Sequence, residues 1–488
     1  MMSEKKKLHP ISAVANFLKQ LKELILPFIF LVFLNRGDDS EGFLEWLPFI
    51  IGGSIMVFLL VAGIIKWLRF SYWLEEGELR IEYGLFVKKK RYIPFERIQS
   101  LNLTEGILQR PFGLVKVKVE TAGSSDSKQA EAELTAISKS EAQELQRIIN
   151  EAKSSKRNTG AEEEQPVIQN NEEVVFKMNF KDLLLMATTS GGAGVVISGV
   201  LIFLSQFDEL IPYERVFNEL EQFVRSGVVL VSVVVIIGLL IAWIAAIIGT
   251  LLVFADFTVK KQGADLIITR GLLEKKQMTV PINRIQGVRI VENILRQPLG
   301  YAAVQIESAG GSVLEKESST IKILPMIKKQ KIEAVMKDVL PDYKISVDFK
   351  TVPKRSLKRY LFRESLLVTA VIIGVTIAFW PLGLWSLFLY VPFWLFGYSK
   401  FRSAGWSIEE AQLGLRYRSL QKHTLLMKKY RIQSLETEQN FFQVRKELAN
   451  LRATVKSGET GAAGKIVDLD DESVKRIYQW YYPEKQGL

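Results

Sequence analysis

Apolar residues are gathered in long blocks that alternate with polar stretches. Charged residues are absent from Leu47 to Ile65, from Leu183 to Phe207, from Ser226 to Ala255 and from Ser365 to Ser399. The hydrocarbon core of a bilayer is ~30 Å thick and needs about 20 apolar helical residues. Soluble helices usually carry an apolar stripe on one face, whereas these blocks are apolar all round. The pattern therefore predicts transmembrane helices.

Two further features bring the predicted number of spans to six, in three hairpins. The block from Leu24 to Leu34 can span if its helix begins near Ala13, although by length alone it could lie at the interface or be re-entrant. The last block, of 35 residues, would be about 52 Å long as one helix. Pro381 and Gly383 lie at its middle, where a helix is expected to break. We predict two short spans there.

The polar stretches repeat one another. Gly84 to Gly123 aligns without gaps to Gly271 to Gly310, with 17 of 40 positions identical. The shared residues include Lys-Lys, Pro-x-x-Arg-Ile-Gln, Pro-x-Gly and a closing Ala-Gly. A weaker third copy begins at Lys428-Lys429, lacks Pro-x-Gly and departs from the pattern between Asn440 and Leu448. The repeated unit is a span pair followed by a soluble domain.

Each soluble unit shows period-2 alternation, as in Val115, Val117 and Val119, which is typical of half-buried strands. Each unit then closes with one amphipathic helix, and Ser138 with Glu141 forms a possible capping box in the first. The apolar positions of the three helices are Leu145, Ile148, Ile149 and Ala152; Ile332, Val335, Met336 and Val339; and Val474, Ile477, Tyr478 and Tyr481. We expect a small antiparallel barrel or sandwich closed by a C-terminal helix.

These motifs and their order resemble the bacterial pleckstrin-homology (PH) domain membrane proteins, in particular the three-repeat members of the Gram-positive type. The resemblance implies a polytopic α-helical membrane protein with three β-rich PH-like domains. Each domain would contain two packed antiparallel sheets of about seven strands, capped by one helix. It also implies a smaller one-repeat PH-domain membrane protein as partner, a role in tolerance of membrane-active peptides, and no enzymatic activity.

The predicted boundaries follow the blocks and the repeats. They are 1–68 for the first transmembrane hairpin, 69–152 for PH-like domain 1, 153–175 for a disordered linker, 176–255 for the second hairpin, 256–345 for PH-like domain 2, 346–399 for a basic juxtamembrane segment with the third hairpin, and 400–488 for PH-like domain 3. The linker is polar and highly charged and has almost no apolar content.

Composition excludes several functional classes. The chain of 488 residues has no cysteine, and His9 and His423 are its two histidines. A disulfide framework, a thiolate zinc site and a cysteine nucleophile are therefore excluded, and a transition-metal site is disfavoured. We found no phosphate-binding loop, catalytic triad or metal signature, so no cofactor and no enzymatic activity are predicted. His423 is expected at the surface.

Charge predicts the orientation in the membrane. The net charge is +11, but the short segments Asn35 to Glu45 and Gln206 to Arg225 each carry −3. Basic residues remain on the cytoplasmic side during insertion. Both termini and all three domains should therefore be cytoplasmic in a multi-pass cell-membrane protein. This rule and attraction to anionic inner-leaflet lipid explain the basic excess better than nucleic acid, which we do not expect as a partner.

The candidate site is the basic run before and within each Arg-Ile-Gln motif. Such a rim can bind anionic headgroups or a partner, at about 1 kcal/mol per basic residue near a charged surface. The alternative, which we favour, is a solvated strand edge whose charges discourage pairing. For Arg97 and Arg284, a structural hydrogen-bond pair, an interdomain contact and a ligand contact remain open, with structure favoured. The candidates are Lys88, Lys89, Lys90, Arg91, Arg97, Lys275, Lys276, Arg284, Lys422, Lys428, Lys429 and Arg431.

These observations favour a non-enzymatic membrane scaffold that binds a partner membrane protein, anionic lipid or both, with oligomerisation possible. Envelope maintenance or resistance to membrane-active peptides would be the physiological outcome. The alternative is a lipid or peptide transporter or export component. Coupled transport is disfavoured because the best spans contain no ionisable residue.

Overall fold

The computed structural model describes residues 4–34, 43–121, 132–157, 173–191, 228–309, 320–458 and 461–482. Its strands are β1 Ser71–Glu75, β2 Glu78–Tyr83, β3 Lys89–Pro94, β4 Ile98–Glu105, β5 Leu114–Thr121, β6 Ala132–Ser138, β7 Glu173–Lys177, β8 Thr258–Gln262, β9 Asp265–Arg270, β10 Lys275–Pro281, β11 Ile285–Glu292, β12 Tyr301–Ser308, β13 Thr320–Lys328, β14 Lys350–Thr351, β15 Gly405–Glu409, β16 Gln412–Arg418, β17 Lys422–Lys428, β18 Ile432–Glu438, β19 Leu448–Val455 and β20 Ala462–Asp470.

Ten α-helices lie in the described part of the chain. They are α1 Ile11–Leu34, α2 Phe43–Leu68, α3 Lys139–Arg157, α4 Phe180–Thr188, α5 Val228–Phe254, α6 Lys329–Val339, α7 Leu357–Ala378, α8 Tyr390–Ser403, α9 Phe441–Val444 and α10 Asp471–Tyr481. The chain divides into two compact units, Met1–Asn171 with Ile267–Val280 and Glu172–Leu266 with Pro281–Leu488.

The first unit contains the first hairpin, α1 and α2, and a two-sheet domain. One sheet has the order β1-β2-β3, and the other contains the neighbouring strands β6-β5-β4-β10 of a seven-stranded sheet. Alternating residues such as Leu79, Val117 and Leu134 are fully buried between the sheets, and Ile149 of α3 packs on the same core. The predicted capping box is confirmed, because the Ser138 hydroxyl accepts from the Glu141 N–H and the Glu141 carboxylate accepts from the Ser138 N–H.

The second unit contains a seven-stranded antiparallel sheet of order β13-β12-β11-β17-β16-β15-β14 and a three-stranded sheet of order β18-β19-β20. The third domain is built from β14 to β20, and Val474 and Ile477 of α10 are buried against its core. Two antiparallel sheets, seven strands and one closing helix match the expected PH-type fold. The strand alternation and the apolar stripes of the first two closing helices are confirmed, whereas Tyr478 of the third predicted stripe is 50% exposed.

The third apolar block contains two packed helices with a break at the predicted position. A 3-10 helix, Leu382–Leu389, separates α7 from α8. The hydroxyls of Thr369 and Tyr390 lie 2.8 Å apart, and the Trp394 indole N–H donates to the Ser365 hydroxyl at 2.9 Å. Pairing of these polar groups lets them lie within an otherwise apolar hairpin.

The predicted count of six spans is not confirmed. Within the described residues, three helices are long and apolar enough to cross a bilayer, namely Ile50–Leu68, Ile236–Phe254 and Leu382–Ser403. A fourth is added if Lys354–Leu366 and Val368–Ala378, which are bent by 43° at their junction, form one span. Helix α1 covers the first predicted span but carries Lys19, Lys22 and Glu23. The predicted span from Leu183 to Phe207 lies mostly outside the described residues.

The predicted linker from 153 to 175 was too long at both ends. Helix α3 continues to Arg157, and β7 begins at Glu173. Strand β7 pairs with β8, Phe176 opposite Val259, and this pairing supplies hydrogen bonds that the polar composition did not indicate. The remaining linker residues, 158–172, lie outside the described part of the chain.

Candidate functional site

The seven-stranded sheet of the second unit is shared by two repeats. Strand β11 belongs to the second domain and β17 to the third, and they pair antiparallel over six residues, from Gly287 opposite Met427 to Glu292 opposite Lys422. The second sheet of one domain is therefore continued by the first sheet of the next. We call this arrangement a strand junction.

The first unit contains an equivalent strand junction. Strand β10 comes from the second repeat and pairs with β4 of the first, with Lys275 opposite Glu105. Lys275 and Lys422 occupy the same position of the repeat, as do Glu105 and Glu292. The two junctions therefore have the same register, so the joining of sheets is a repeated property of the sequence.

The basic runs of the second and third repeats form the joining strands. Lys275 and Lys276 lie in β10, while Lys422 and Lys428 are the first and last residues of β17. The interpretation of these runs as solvated edges that discourage pairing is therefore wrong. Their charges are accommodated because an acidic residue of the preceding domain lies opposite the first lysine of each run, Lys275 or Lys422.

Glu292 is the acidic residue at the second junction. Its carboxylate lies 2.8 Å from the Lys422 ammonium and 3.5 Å from that of Lys329, the first residue of α6. Burial alone would raise the pKa of Glu292, but the two lysines outweigh it and hold this pKa below 4.5. Burial lowers the pKa of Lys422, and Glu292 offsets part of that effect.

A buried polar network lies beside this ion pair. Arg289 of β11 donates to the Glu307 carboxylate at 2.7 Å and to the Tyr417 hydroxyl of the third domain at 2.6 Å. The Ser457 hydroxyl, also of the third domain, donates to Glu307 at 2.8 Å. Burial by itself lowers the pKa of Arg289, but Tyr417 and Glu307 together raise it above its usual value. The Arg289–Glu307 pair of the second domain is therefore hydrogen-bonded to two residues of the third domain.

The first junction has a corresponding network of different chemistry. Glu120, which is equivalent to Glu307, accepts from the Ser100 hydroxyl at 2.7 Å and from the Asn102 amide at 2.6 Å. The side-chain carbonyl of Asn102 in turn accepts a hydrogen bond from the backbone N–H of Thr279 in β10 at 3.2 Å. Asn102 occupies the position of Arg289. We call this position, which faces the next domain, the selector position.

The arginines of Arg-Ile-Gln do not lie in strands. Arg97, Arg284 and Arg431 each end a short 3-10 helix, and the following isoleucine is buried as the first residue of a strand. The guanidinium of Arg431 donates to the Asn283 carbonyl of the preceding domain at 2.7 Å. For Arg431, the structure therefore shows an interdomain contact, one of the three alternatives left open for Arg97 and Arg284.

The basic run of the first repeat, by contrast, lies at an outer strand. Lys88 forms an ion pair with Glu82 at 2.8 Å, and Lys90 lies 3.7 Å from the same carboxylate. The hydrogen bond from Lys88 lowers the pKa of Glu82. Lys89 is exposed at the start of β3, and Arg91 lies over the Tyr83 ring at 5.9 Å. Arg97 is exposed just beyond β3.

The remaining basic candidates contact aromatic rings. Lys428 lies over Tyr343 at 5.3 Å, and Lys429 over Trp480 at 5.5 Å. The second contact holds Lys429 against its own domain, whereas Tyr343 precedes β14, in the segment assigned to the second domain. His423, expected at the surface, is half-buried in β17 and stacks on Tyr417. Burial, followed by the charges of Arg289 and Arg418, lowers its pKa to about 4.

The arginines of the basic segment before the third hairpin form ion pairs with acidic residues of the third domain. Arg359 and Arg363 of α7 form ion pairs with Asp468 of the third domain, at 2.7 and 2.9 Å. Arg355 pairs with Asp470 and with Glu447. These three arginines of the basic juxtamembrane segment are therefore paired with the third domain. Sequence analysis missed the acidic partners because they lie about 110 residues further along the chain.

A model of the bacterial PH domain matches the chain three times, at residues 25–153, 201–340 and 356–485. The chain belongs to the bacterial PH-domain family. Each match covers the sheets of one repeat and at least the second helix of its predicted span pair, so each match corresponds to one repeated unit. The family recognised from the Arg-Ile-Gln and Pro-x-Gly motifs is confirmed.

Two curated relatives carry the same description. The chain is 38% identical to the UPF0699 transmembrane protein YdbT of Bacillus subtilis (strain 168), over 99% of each chain. It is also 26% identical to the UPF0699 transmembrane protein YdbS of the same organism, over 22% of this chain and 72% of that protein. No solved structure matches the chain. The protein is therefore a membrane protein with three bacterial PH domains, and a smaller relative corresponding to one repeat exists.

The ion pair at Glu292 predicts a pH-dependent stability. The folded state lowers the pKa of Glu292 below 4.5. The ion pair therefore contributes fully above that value and loses its contribution as pH falls through the lowered pKa. We expect Glu292→Gln to cost about 1–3 kcal/mol at pH 7. The difference from wild type should shrink below pH 4.5, as measured by thermal unfolding in detergent.

The exposed Glu144 of α3 provides the matched control. Glu144→Gln should leave the melting temperature unchanged at every pH. An E292Q deficit that stayed constant from pH 7 to pH 3 would show that the charge of Glu292 is not responsible.

Proposed function

We propose that the protein is a non-enzymatic membrane scaffold whose PH-like domains recognise other PH-like domains by strand pairing. The observation that carries the proposal is the strand junction, seen as β4 with β10 and as β11 with β17. A domain that continues the sheet of its neighbour gains main-chain hydrogen bonds, and side chains such as Arg289 add selectivity. The same chemistry can capture a further domain wherever a strand edge remains open.

A membrane protein is the proposed partner class, with the one-repeat bacterial PH-domain protein as its simplest form. YdbS shows that proteins of about one repeat occur beside a three-repeat protein in one organism. Domains held at one membrane surface have a raised effective concentration, so weak strand pairing can suffice for assembly. Envelope maintenance or resistance to membrane-active peptides is the physiological role we propose.

The partner proposal is tested by crosslinking the full-length protein in its own membranes and identifying membrane proteins that co-purify. A variant with Glu436→Lys and Glu438→Lys reverses the charge of β18. A control with Asp342→Lys and Glu472→Lys, both exposed and outside the strands, has the same change of net charge. We expect wild type and control to retain crosslinked membrane proteins and the β18 variant to lose them.

Two results would overturn the scaffold proposal. One is the recovery of no membrane protein with wild type. The other is sustained lipid or peptide flux in proteoliposomes that hold only the purified protein, which would favour a transporter.

We also propose that both termini and all three domains face the cytoplasm, where anionic lipid is a second ligand. Lys354 and Lys358 support this because they are exposed just before α7 and in its first turn, whereas the neighbouring arginines pair with the third domain. Each exposed lysine near an anionic surface contributes about 1 kcal/mol. Reporter fusions within residues 100–140 and 290–320 test the orientation, and extracytoplasmic activity would refute it.

A further inference from the structure

Two strands that correspond to junction strands are at sheet edges in the described part of the chain. Strand β3 corresponds to β10 and β17 but is the outer strand of β1-β2-β3, and β18 corresponds to β4 and β11 but is the outer strand of β18-β19-β20. Seven of the eight residues of β11 are buried, whereas Ile432 is the one buried residue of β18. The first repeat therefore has an open edge at β3, the strand equivalent to those that pair with a preceding domain. The third repeat has an open edge at β18, the strand equivalent to those that pair with a following domain.

We infer that the β18 edge of one copy binds the β3 edge of a second copy, antiparallel and in the register of the strand junctions. The inference rests on the proposed function, for which it names the partner. It would join protein copies head to tail, third domain to first domain. Such a heterologous contact produces an open chain or a closed ring of copies.

The register follows from the repeat. Moving the observed pairs of β11 with β17 to the equivalent positions places Arg91 opposite Glu436 and Lys89 opposite Glu438. It also places the apolar Ile93 opposite Ser434. Two oppositely charged cross-strand pairs result, each of which stabilises an antiparallel pairing. A shift by one residue would turn one set of charges to the other face of the sheet.

The selector position supports the same partner. It is occupied by Asn102 at the first junction and by Arg289 at the second, and each makes a hydrogen bond to the incoming domain. In the third domain this position is Glu436, so the incoming strand should present a cation. Arg91 of β3 is the residue that the register brings there.

The end of the junction gives an independent indication. Glu105 is paired with Lys139 at 2.8 Å, and Glu292 with Lys329 at 3.5 Å, beside the incoming lysine. In the third domain, Gln439 donates to Asp471, the first residue of α10, at 3.0 Å. The acid is now on the helix instead of the strand, but it still lies where Lys88 of a second copy would arrive.

A membrane surface explains these features less well than a second copy. Anionic lipid would attract Lys88, Lys89 and Lys90 but would repel Glu436 and Glu438. Lipid headgroups also provide no extended strand to pair with an open edge. A head-to-tail contact requires opposite charge on its two edges, and β3 is basic where β18 is acidic.

The absence of cysteine from the chain allows a direct test. Two differently tagged copies of the full-length protein are co-expressed, one with Lys90→Cys and one with Thr437→Cys, positions that the register places opposite each other. Opposite residues of antiparallel strands have Cβ atoms ~4.5–5.5 Å apart, near the range of a disulfide. Membranes are oxidised with copper phenanthroline, which accepts the two electrons released by the two thiols.

We expect a disulfide-linked dimer that carries both tags. The control replaces Thr437→Cys by Gln433→Cys, which is also exposed in β18 but lies about 13 Å away along the strand. It should give at least tenfold less dimer. Arg91→Glu and Glu436→Arg should each reduce the K90C–T437C crosslink at least fivefold, and both substitutions in every copy should restore it.

The intrachain pair Ile290→Cys with Thr424→Cys separates the two proposals, because these residues are opposite each other in the second junction. If this pair closes while K90C and T437C do not crosslink, self-pairing is overturned and strand pairing as a scaffold principle stands. A crosslink of T437C to a one-repeat protein, or equal crosslinking by Q433C, also overturns self-pairing. Failure of the intrachain pair would overturn the strand junction and with it the proposed function.

Discussion

Replacing Arg289 by methionine is expected to destabilise the protein by about 3–5 kcal/mol, because it leaves the Glu307 carboxylate buried without its cation. The carboxylate of Glu307 is 1% exposed and is held by Arg289 at 2.7 Å. The substitution also removes the bond from Arg289 to Tyr417, so the second and third domains lose a direct connection. Thermal unfolding of the purified protein in detergent measures the effect.

A second variant distinguishes the lost ion pair from lost packing. Arg289→Met combined with Glu307→Gln removes the unpaired charge and should recover most of the stability, because a buried pair can be replaced by neutral groups at little cost. Arg147→Met is the matched control, since Arg147 is 67% exposed on α3. A double variant no more stable than R289M would show that packing is responsible.

The repeat and the fold of its unit were predictable from the sequence because they depend on local patterns. Alternation at Val115, Val117 and Val119 gave β5, and the Ser138 and Glu141 pair gave the start of α3. The neighbours of an edge strand depend on contacts between distant residues. The basic run at Lys275 suits both a solvated strand edge and a strand that faces an acidic neighbour.

A signal for the strand junctions was nevertheless present. In strand β11, IQGVRIVE, the four residues that flank Arg289 from Gly287 to Val291 are apolar, which is typical of a central strand. Strand β18, IQSLETE, carries Glu436 and Glu438 where β11 has Arg289 and Val291, and such charged residues are typical of an edge strand. This difference in composition between equivalent strands of the repeats distinguishes paired strands from open ones. The buried acids Glu307 and Asp468 gave no such signal, because Ser457, which donates to Glu307, and the arginines that pair with Asp468 are more than 100 residues away.

Asparagine in place of Asp468 is expected to cost about 2–3 kcal/mol, because it removes the charge that holds α7 to the third domain. The side chain of Asp468 is fully buried and lies 2.7 Å from Arg359 and 2.9 Å from Arg363. The value is below that of a fully buried pair because Arg363 is 39% exposed. Asp468 has a φ of 53°, which asparagine tolerates well, so Asp468→Ala should cost about 1 kcal/mol more.

Hydrogen exchange of residues 356–363 provides the local measurement. These residues begin α7, and Ser356 and Tyr360 also donate to the carbonyls of Asp468 and Val467. If the carboxylate anchors the third hairpin to its domain, D468N should expose this segment to exchange at least tenfold faster. The exposed Glu472 of α10 offers the control Glu472→Gln, which should leave the rate unchanged. Equal protection in D468N and wild type would mean that the two hydroxyl hydrogen bonds hold the hairpin without the ion pairs.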